Sequence, residues 1–207
     1  MIALETSEDG IWWLRIERPD KAGSLTRDML TRLADHAEEA KDAAQVLVLT
    51  GTGRVFSAGM DLDGAKTGLQ LDPVWERLSG ALVKFPGLSI AALNGTVAGG
   101  AMGMVLACDL RVSVPQANFF YPVMARGFLP QPSDPKRMAE LIGPARAKMI
   151  LMAGQKINAQ TALEWGLVDR VVEADAMQET IRDLAGDVLT AKPEHAQAIK
   201  ALFRGPG

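Results

Sequence analysis

One pattern occurs twice in this chain and constrains it more than anything else. An apolar run of strand length opens directly onto a glycine-rich loop. "QVLVLT" (45–50) leads into "GTGRVFSAGMDLDG" (51–64), and "SIAAL" (89–93) leads into "NGTVAGGAMG" (94–103). Short, continuous apolar runs of this kind read as buried strands, and the glycines let the backbone turn tightly or approach a ligand closely. Helical periodicity lies between and around them. Residues 26–42 place Met29, Leu33, Ala37 and Ala40 on one face and Arg32, Asp35, Glu38 and Glu39 on the other. Thr26 is the expected N-cap, and Asp28 falls in the first turn, where the helix dipole favours a negative charge.

The remaining elements follow the same alternation. "MIALE" and "IWWLRIE" flank the turn signal Glu8-Asp9-Gly10 and predict a hairpin. A helix is expected at 73–85, a glycine-led helix at 99–108 and a strand at "DLRVSV". Beyond Phe120 the chain is proline-rich and then mostly helical, with one late strand at "GLVDRVV". Alternating strands and helices imply an α/β core, and 207 residues suffice for a single domain with a real interior.

Composition narrows the functional classes. A formal net charge of −3, with no dense basic stripe, argues against a nucleic-acid binder. Cys108 is the only cysteine, so no intrachain disulfide can form and a reducing, cytoplasmic setting is expected. The N-terminal segment has no basic stretch followed by an apolar one, so no signal peptide is evident. The apolar stretch at 88–108 is interrupted by Asn94 and glycines and reads as strand plus helix, not as a membrane span. Neither His36 nor His195 has neighbours at metal-ligand spacing, so no metal site is expected.

What the two loops do is a chemical question. The first lacks the Lys-Ser or Lys-Thr pair of a phosphate loop, and Gly51, Gly53 and Gly59 do not match a dinucleotide fingerprint. The second runs through Gly99 and Gly100 into a helix, whose N-terminus presents free N–H groups and the positive end of the dipole. Two such loops, each ending a strand of one sheet, can aim one N–H apiece at a single oxygen, forming an oxyanion hole. The plainer alternative is that the glycines serve only turns and tight helix–strand packing.

The combination "GTGRVFSAGMDL" with "IAALNGTVAGGAMGMVLACDLRV" resembles the paired signature of the crotonase (enoyl-CoA hydratase/isomerase) superfamily. "IERPDKAGSLT" is similar to that family's first turn, and "GPARAKMILMAGQKINAQTALEWGLVDRVV" to its helical segment and final strand. The resemblance covers residues 11–173. It implies a spiral of β-β-α units over residues 1–143, a mostly helical trimerisation segment over 144–207, and assembly as a homotrimer or hexamer. It further implies an acyl-CoA thioester as ligand, coenzyme A entering only as part of the substrate, with no separate cofactor and no membrane partner. The family's two enolate-holding donors match the N–H groups of Ala58 and Gly100. Lys21, Ala22 and Ser24, with Met60, Asp61 and Leu62, match its coenzyme A cradle, and Val123 and Gly127 fall on the acyl side. Lys21 either meets a phosphate as a point charge or is a solvated surface lysine.

The pattern also breaks. Where hydratases of the superfamily carry two glutamates, this chain has Gly103 and Val123, and an aspartate used by another branch is replaced by Pro130. The general acid and base of hydration are therefore missing. The candidates left are Asp134, Asp61 and Tyr121, with Asp63 and Arg126 nearby. Ser133 or Asp134 is expected to cap a helix that starts at Pro135, the loop carboxylates to be solvated, and Tyr121 to pack in the core. Family members continue beyond the position of Lys200, so a shortened C-terminus is expected to leave the pocket more open or covered by a partner. The expected function is an acyl-CoA enzyme of the enoyl-CoA hydratase/isomerase family. Decarboxylation, isomerisation and thioester hydrolysis all stay open, and a non-catalytic acyl-CoA-binding or assembly subunit is the competing class.

Overall fold

The computed structural model describes residues 1–203; the last four residues of the domain expected over 1–207 lie outside the described residues. The chain opens with β1 (Ile2–Thr6) and β2 (Ile11–Ile16), the expected antiparallel hairpin, turned at Gly10 with φ of 84°. Helix α1 (Arg27–Glu39) follows, capped by Thr26, whose hydroxyl accepts the Met29 N–H at 3.3 Å. Its apolar face is buried as the periodicity predicts, and a separate 3-10 turn over Ala40–Asp42 replaces the last residues of the expected helix.

Three turns of strand, strand and helix then build the body. The first comprises β3 (Val46–Gly51), β4 (Val55–Ser57), the short α2 (Leu62–Lys66) and α3 (Val74–Lys84). The second comprises β5 (Leu88–Leu93), β6 (Thr96–Ala98) and α4 (Ala101–Ala107). In the third, β7 (Leu110–Ser113) and β8 (Asn118–Phe120) lead to α5 (Val123–Arg126) and α6 (Asp134–Ile142). Each turn contributes one strand to each of two sheets. The larger has the order β1-β2-β3-β5-β7-β10, where β10 is Arg170–Val171, and the smaller runs β4-β6-β8-β9, where β9 is Ile157–Asn158. The pairs β2–β3, β3–β5, β5–β7, β4–β6 and β6–β8 are parallel, which is the expected spiral.

The corner between the two strands of a turn explains one glycine directly. A Cβ on Gly95 would lie 2.1 Å from the Arg54 carbonyl oxygen, so only glycine lets successive turns stack here. Asn94 bridges the same corner, accepting the Gly51 N–H at 2.9 Å and donating to the Gly53 carbonyl at 2.9 Å.

The core lies between the sheets and the helices. All of β3 is buried, and so is every residue of α4, which is apolar on all sides. The C-terminal segment is mainly helical: α7 (Pro144–Leu151), α8 (Ala159–Trp165), α9 (Met177–Thr190) and α10 (Pro193–Leu202). The strand expected at "GLVDRVV" shrinks to the two residues of β10, paired with Val112 and Ser113 of β7. Among the described residues no helix is long and apolar enough to cross a membrane.

Candidate active site

The two glycine loops leave the C-terminal ends of β4 and β6, which are parallel neighbours through Val55–Thr96 and Ser57–Val97. This is the arrangement the sequence suggested. The loops touch at Gly59, whose φ is 86°. A Cβ there would lie 2.7 Å from the Ala98 carbonyl oxygen and 3.2 Å from the Gly100 nitrogen.

The N–H groups of the two loops differ in whether the protein already uses them. Ala58, the expected donor of the first loop, gives its N–H to the Ala22 carbonyl at 2.9 Å. That assignment is therefore corrected: a donor already satisfied by the backbone is not free to hold an oxyanion. Gly59 donates to the Ser57 hydroxyl at 3.1 Å and Asp61 to the Leu25 carbonyl at 3.0 Å. The Met60 N–H, between them, has no protein acceptor. In the second loop Gly99 donates to the Phe120 carbonyl at 3.1 Å, whereas Gly100, the N-cap of α4, donates to none. Met60 in the first loop and Gly100 in the second thus each keep an N–H with no acceptor among the described residues, beside the positive end of α4.

The residues expected to cradle coenzyme A form one rim. Ala22, at φ of 51°, is the only non-glycine residue with positive φ among the described residues. Its carbonyl ties residue 58 to the segment between β2 and α1, and Leu25 bridges Met60 in parallel. Arg18 clamps this rim, meeting the Asp61 carboxylate at 2.7 Å and the Ser24 hydroxyl at 3.2 Å. Lys21 and Leu62 are exposed on it, and Gly127 is exposed beyond α5 with φ of 65°.

Asp61 is not free to act as acid or base. Burial alone would raise its carboxyl, but the Asp63 N–H and the Arg18 guanidinium outweigh that and hold it below the usual carboxylate range. It caps α2 and anchors the rim. Asp63 is exposed and paired with Lys66 at 2.8 Å. Arg126 is exposed, while Val123 is buried and apolar.

Of the two expected caps of α6, Ser133 is the N-cap, and its N–H and hydroxyl both donate to Glu76, at 3.1 and 2.8 Å; the helix starts at Asp134, not at Pro135. Asp134 is the first helical residue and is 0% exposed. Its Oδ2 accepts the Tyr121 hydroxyl at 3.0 Å, and its Oδ1 has no hydrogen-bond partner. A Cβ on Gly103 would lie 2.8 Å from that Oδ1. The carboxyl therefore rests on the bare face of α4 where a side chain at position 103 would stand. Burial pushes the Asp134 carboxyl up to about 7; the Tyr121 hydrogen bond opposes this, Glu76 adds to it and Arg137 opposes it. Tyr121 is itself raised by burial and by the Asp134 charge.

Two neighbours gave no signal in the sequence. The edge of the Trp75 indole stands 3.1 Å from where a Cβ on Gly100 would lie, and its Nε1–H donates to the Leu69 carbonyl at 2.9 Å. Glu76 tethers α6 to α3 through Ser133. Both depend on how α3 packs on α4 and α6, which residue spacing does not report. Cys108 is structural: its thiol donates to the Met104 carbonyl at 3.3 Å, and burial raises it to about 12. Asp109 accepts from Ser89 and Lys200. No group of three or more His, Cys, Asp or Glu residues is placed to hold a metal ion among the described residues.

The enoyl-CoA hydratase/isomerase family model matches residues 6–206. The chain belongs to the enoyl-CoA hydratase/isomerase family. It is 32% identical to 4-chlorobenzoyl coenzyme A dehalogenase-2 of an Arthrobacter species, over 92% of this chain and 73% of that one. It is 31% identical to a short-chain-enoyl-CoA hydratase of Clostridium acetobutylicum, over 92% of this chain and 76% of that one. The crystal structure of an enoyl-CoA hydratase from Bacillus anthracis superposes with a TM-score of 0.90 at 26% identity, covering 99% of this chain and 82% of that one. Family relatives thus include chemistries as different as hydration and dehalogenation, so membership leaves the reaction to the site.

Proposed function

We propose that this family member is an acyl-CoA enzyme that holds the thioester oxygen between the N–H groups of Met60 and Gly100 while negative charge builds on it. The observation that carries this reading is that Met60 and Gly100, on two touching loops of adjacent parallel strands, each present an N–H with no acceptor among the described residues. An enolate forms at a thioester only when its oxygen is stabilised, and one such donor is commonly worth about 10²–10³ in rate. The rim from Arg18 to Asp61 supports placement of the coenzyme A moiety, with exposed Lys21 available to its phosphates. Coenzyme A is then part of the substrate and no other cofactor is called for. We further assign the protein to the cytoplasm and to a homotrimer or hexamer.

Hydration is not the reaction this site favours. Gly103 and Val123 offer no carboxylate to activate water, and each positioned acid or base commonly supplies about 10²–10⁴-fold. The same two residues favour the second reading, a non-catalytic acyl-CoA-binding subunit. Titrating acetyl-, crotonyl- and malonyl-CoA with product detection separates the two. All three esters are expected to bind, and crotonyl-CoA to be hydrated slowly or not at all. Turnover of any ester removes the non-catalytic reading, and failure of every ester to bind removes both.

A further inference from the structure

Position 103 carries no side chain, and a carboxyl is buried against that spot. Burying an acid costs several kcal/mol unless it is compensated, and Asp134 is only half compensated, because Oδ2 is bonded to Tyr121 and Oδ1 to nothing. Such an orphan in a native interior calls for an explanation. Oδ1 lies over Gly103, one helical turn along α4 from Gly100 and on the same face. We propose that Asp134, in the first turn of α6, is the proton-transfer carboxyl of this site and that it serves acyl-CoA esters with an acidic α-proton. This rests on the acyl-CoA reading above and specifies its reaction class as enolisation and double-bond isomerisation.

The proton balance closes within the site. Ionised Oδ1 takes the proton from the α-carbon, and the C–H electron pair moves onto the thioester oxygen, held by the Met60 and Gly100 N–H groups. The neutral carboxyl then delivers a proton, either the one it took or one exchanged with solvent, to the α-carbon or, in a 3-enoyl ester, to the γ-carbon as the double bond moves into conjugation. No water, oxidant or second carboxylate is consumed. The Trp75 indole edge lies over Gly100 on the same face, so an acyl group reaches Oδ1 by displacing it. A short acyl chain fits that constraint best.

The charged and titratable groups facing Asp134 are Tyr121 after β8, Glu76 on α3 and Arg137 on α6 itself; α4 presents only apolar residues. Their balance leaves the carboxyl at about 7, where both protonation states are populated near neutrality.

The test uses 3-butenoyl-CoA in deuterated water, with binding measured by calorimetry and deuterium at C2 and formation of crotonyl-CoA followed by NMR. The unmodified protein is expected to bind the ester, exchange C2 and isomerise it, with a rate that rises through a single ionisation near pH 7. Asp134→Asn is expected to bind within about threefold of wild type and to lose exchange by about 10²-fold or more. Tyr121→Phe removes a donor that favours the ionised carboxyl, so its rate profile should shift to higher pH, an effect that a purely structural role would not produce. Exchange at the wild-type rate in folded Asp134→Asn, or binding by the unmodified protein without any exchange, overturns the proposal. Should Asp134→Asn not fold, a profile left unmoved by Tyr121→Phe overturns it instead. Absence of binding by the unmodified protein defeats the acyl-CoA reading itself.

Discussion

Asp134 makes the function–stability conflict visible in one residue. Its folded-state carboxyl lies near 7 against an ordinary value of 3.8, so the folded protein holds a proton that the unfolded chain releases. Stability is therefore full below about pH 4 and falls as pH rises through 7, by on the order of 4 kcal/mol in total. Asn at this position does not titrate. The difference in thermal stability between Asp134→Asn and wild type should grow in the variant's favour from pH 5 to pH 8; a constant difference would show that the buried carboxyl does not titrate in this range. At Gly100 the φ of −60° already suits proline. Gly100→Ala sets a methyl against Trp75 but keeps the N–H, whereas Gly100→Pro sets a similar carbon there and removes it. Turnover of the best ester should be about 10²–10³-fold lower in the proline variant than in the alanine one. Equal turnover in two folded variants would show that this donor does not act.

At the scale of elements, the contact between α4 and α6 is complementary: one helix lacks a side chain where the other supplies a carboxyl. Alanine in place of a mid-helix glycine ordinarily gains about 0.5–1 kcal/mol. Here its methyl would stand 2.8 Å from Oδ1 of a fully buried residue, and overpacking costs about 1–3 kcal/mol. Gly103→Ala is thus expected to lower the melting temperature in the native background and to raise it in an Asp134→Ala background. Denaturation of the four proteins of this cycle checks the reversal of sign. The same geometry means that restoring a glutamate at 103 alone would not recreate a hydratase, because the carboxyl of Asp134 already holds the space.

Across the whole molecule, the helical C-terminal segment is tied to the spiral by ionic contacts far apart in sequence. Arg111 of β7 meets Asp169 at 3.0 Å, and Lys200 of α10 meets Asp109 at 2.6 Å. The surface nevertheless keeps large apolar side chains in the open, among them Met124 at 62%, Leu129 at 84% and Met152 at 62% exposure. Apolar side chains left this open suit a face that another subunit covers. Sedimentation equilibrium at micromolar concentration should give a trimer or hexamer, and a stable monomer would refute the assembly.

The alternation of strands and helices, the hairpin at Gly10, the Thr26 cap and the apolar face of α1 were all legible from residue spacing, because each depends on neighbours within a turn or two. The two loops and their shared chemistry were legible too, since glycine runs after apolar strands announce themselves. The three residues of β4 and the two of β9 were not, being too short to show a period, and the late strand was legible in place but not in length. Which N–H stays free was decided only by tertiary structure: Ala22 and Ala58 are 36 positions apart, and the bond that spends the Ala58 donor exists only once the segment between β2 and α1 packs on the first glycine loop. Asp134 shows the same limit. Next to Pro135 it reads as a helix cap, and only the packing of α6 on α4 buries it over Gly103, because a carboxyl's environment is set by what surrounds it in space and not by its neighbours along the chain.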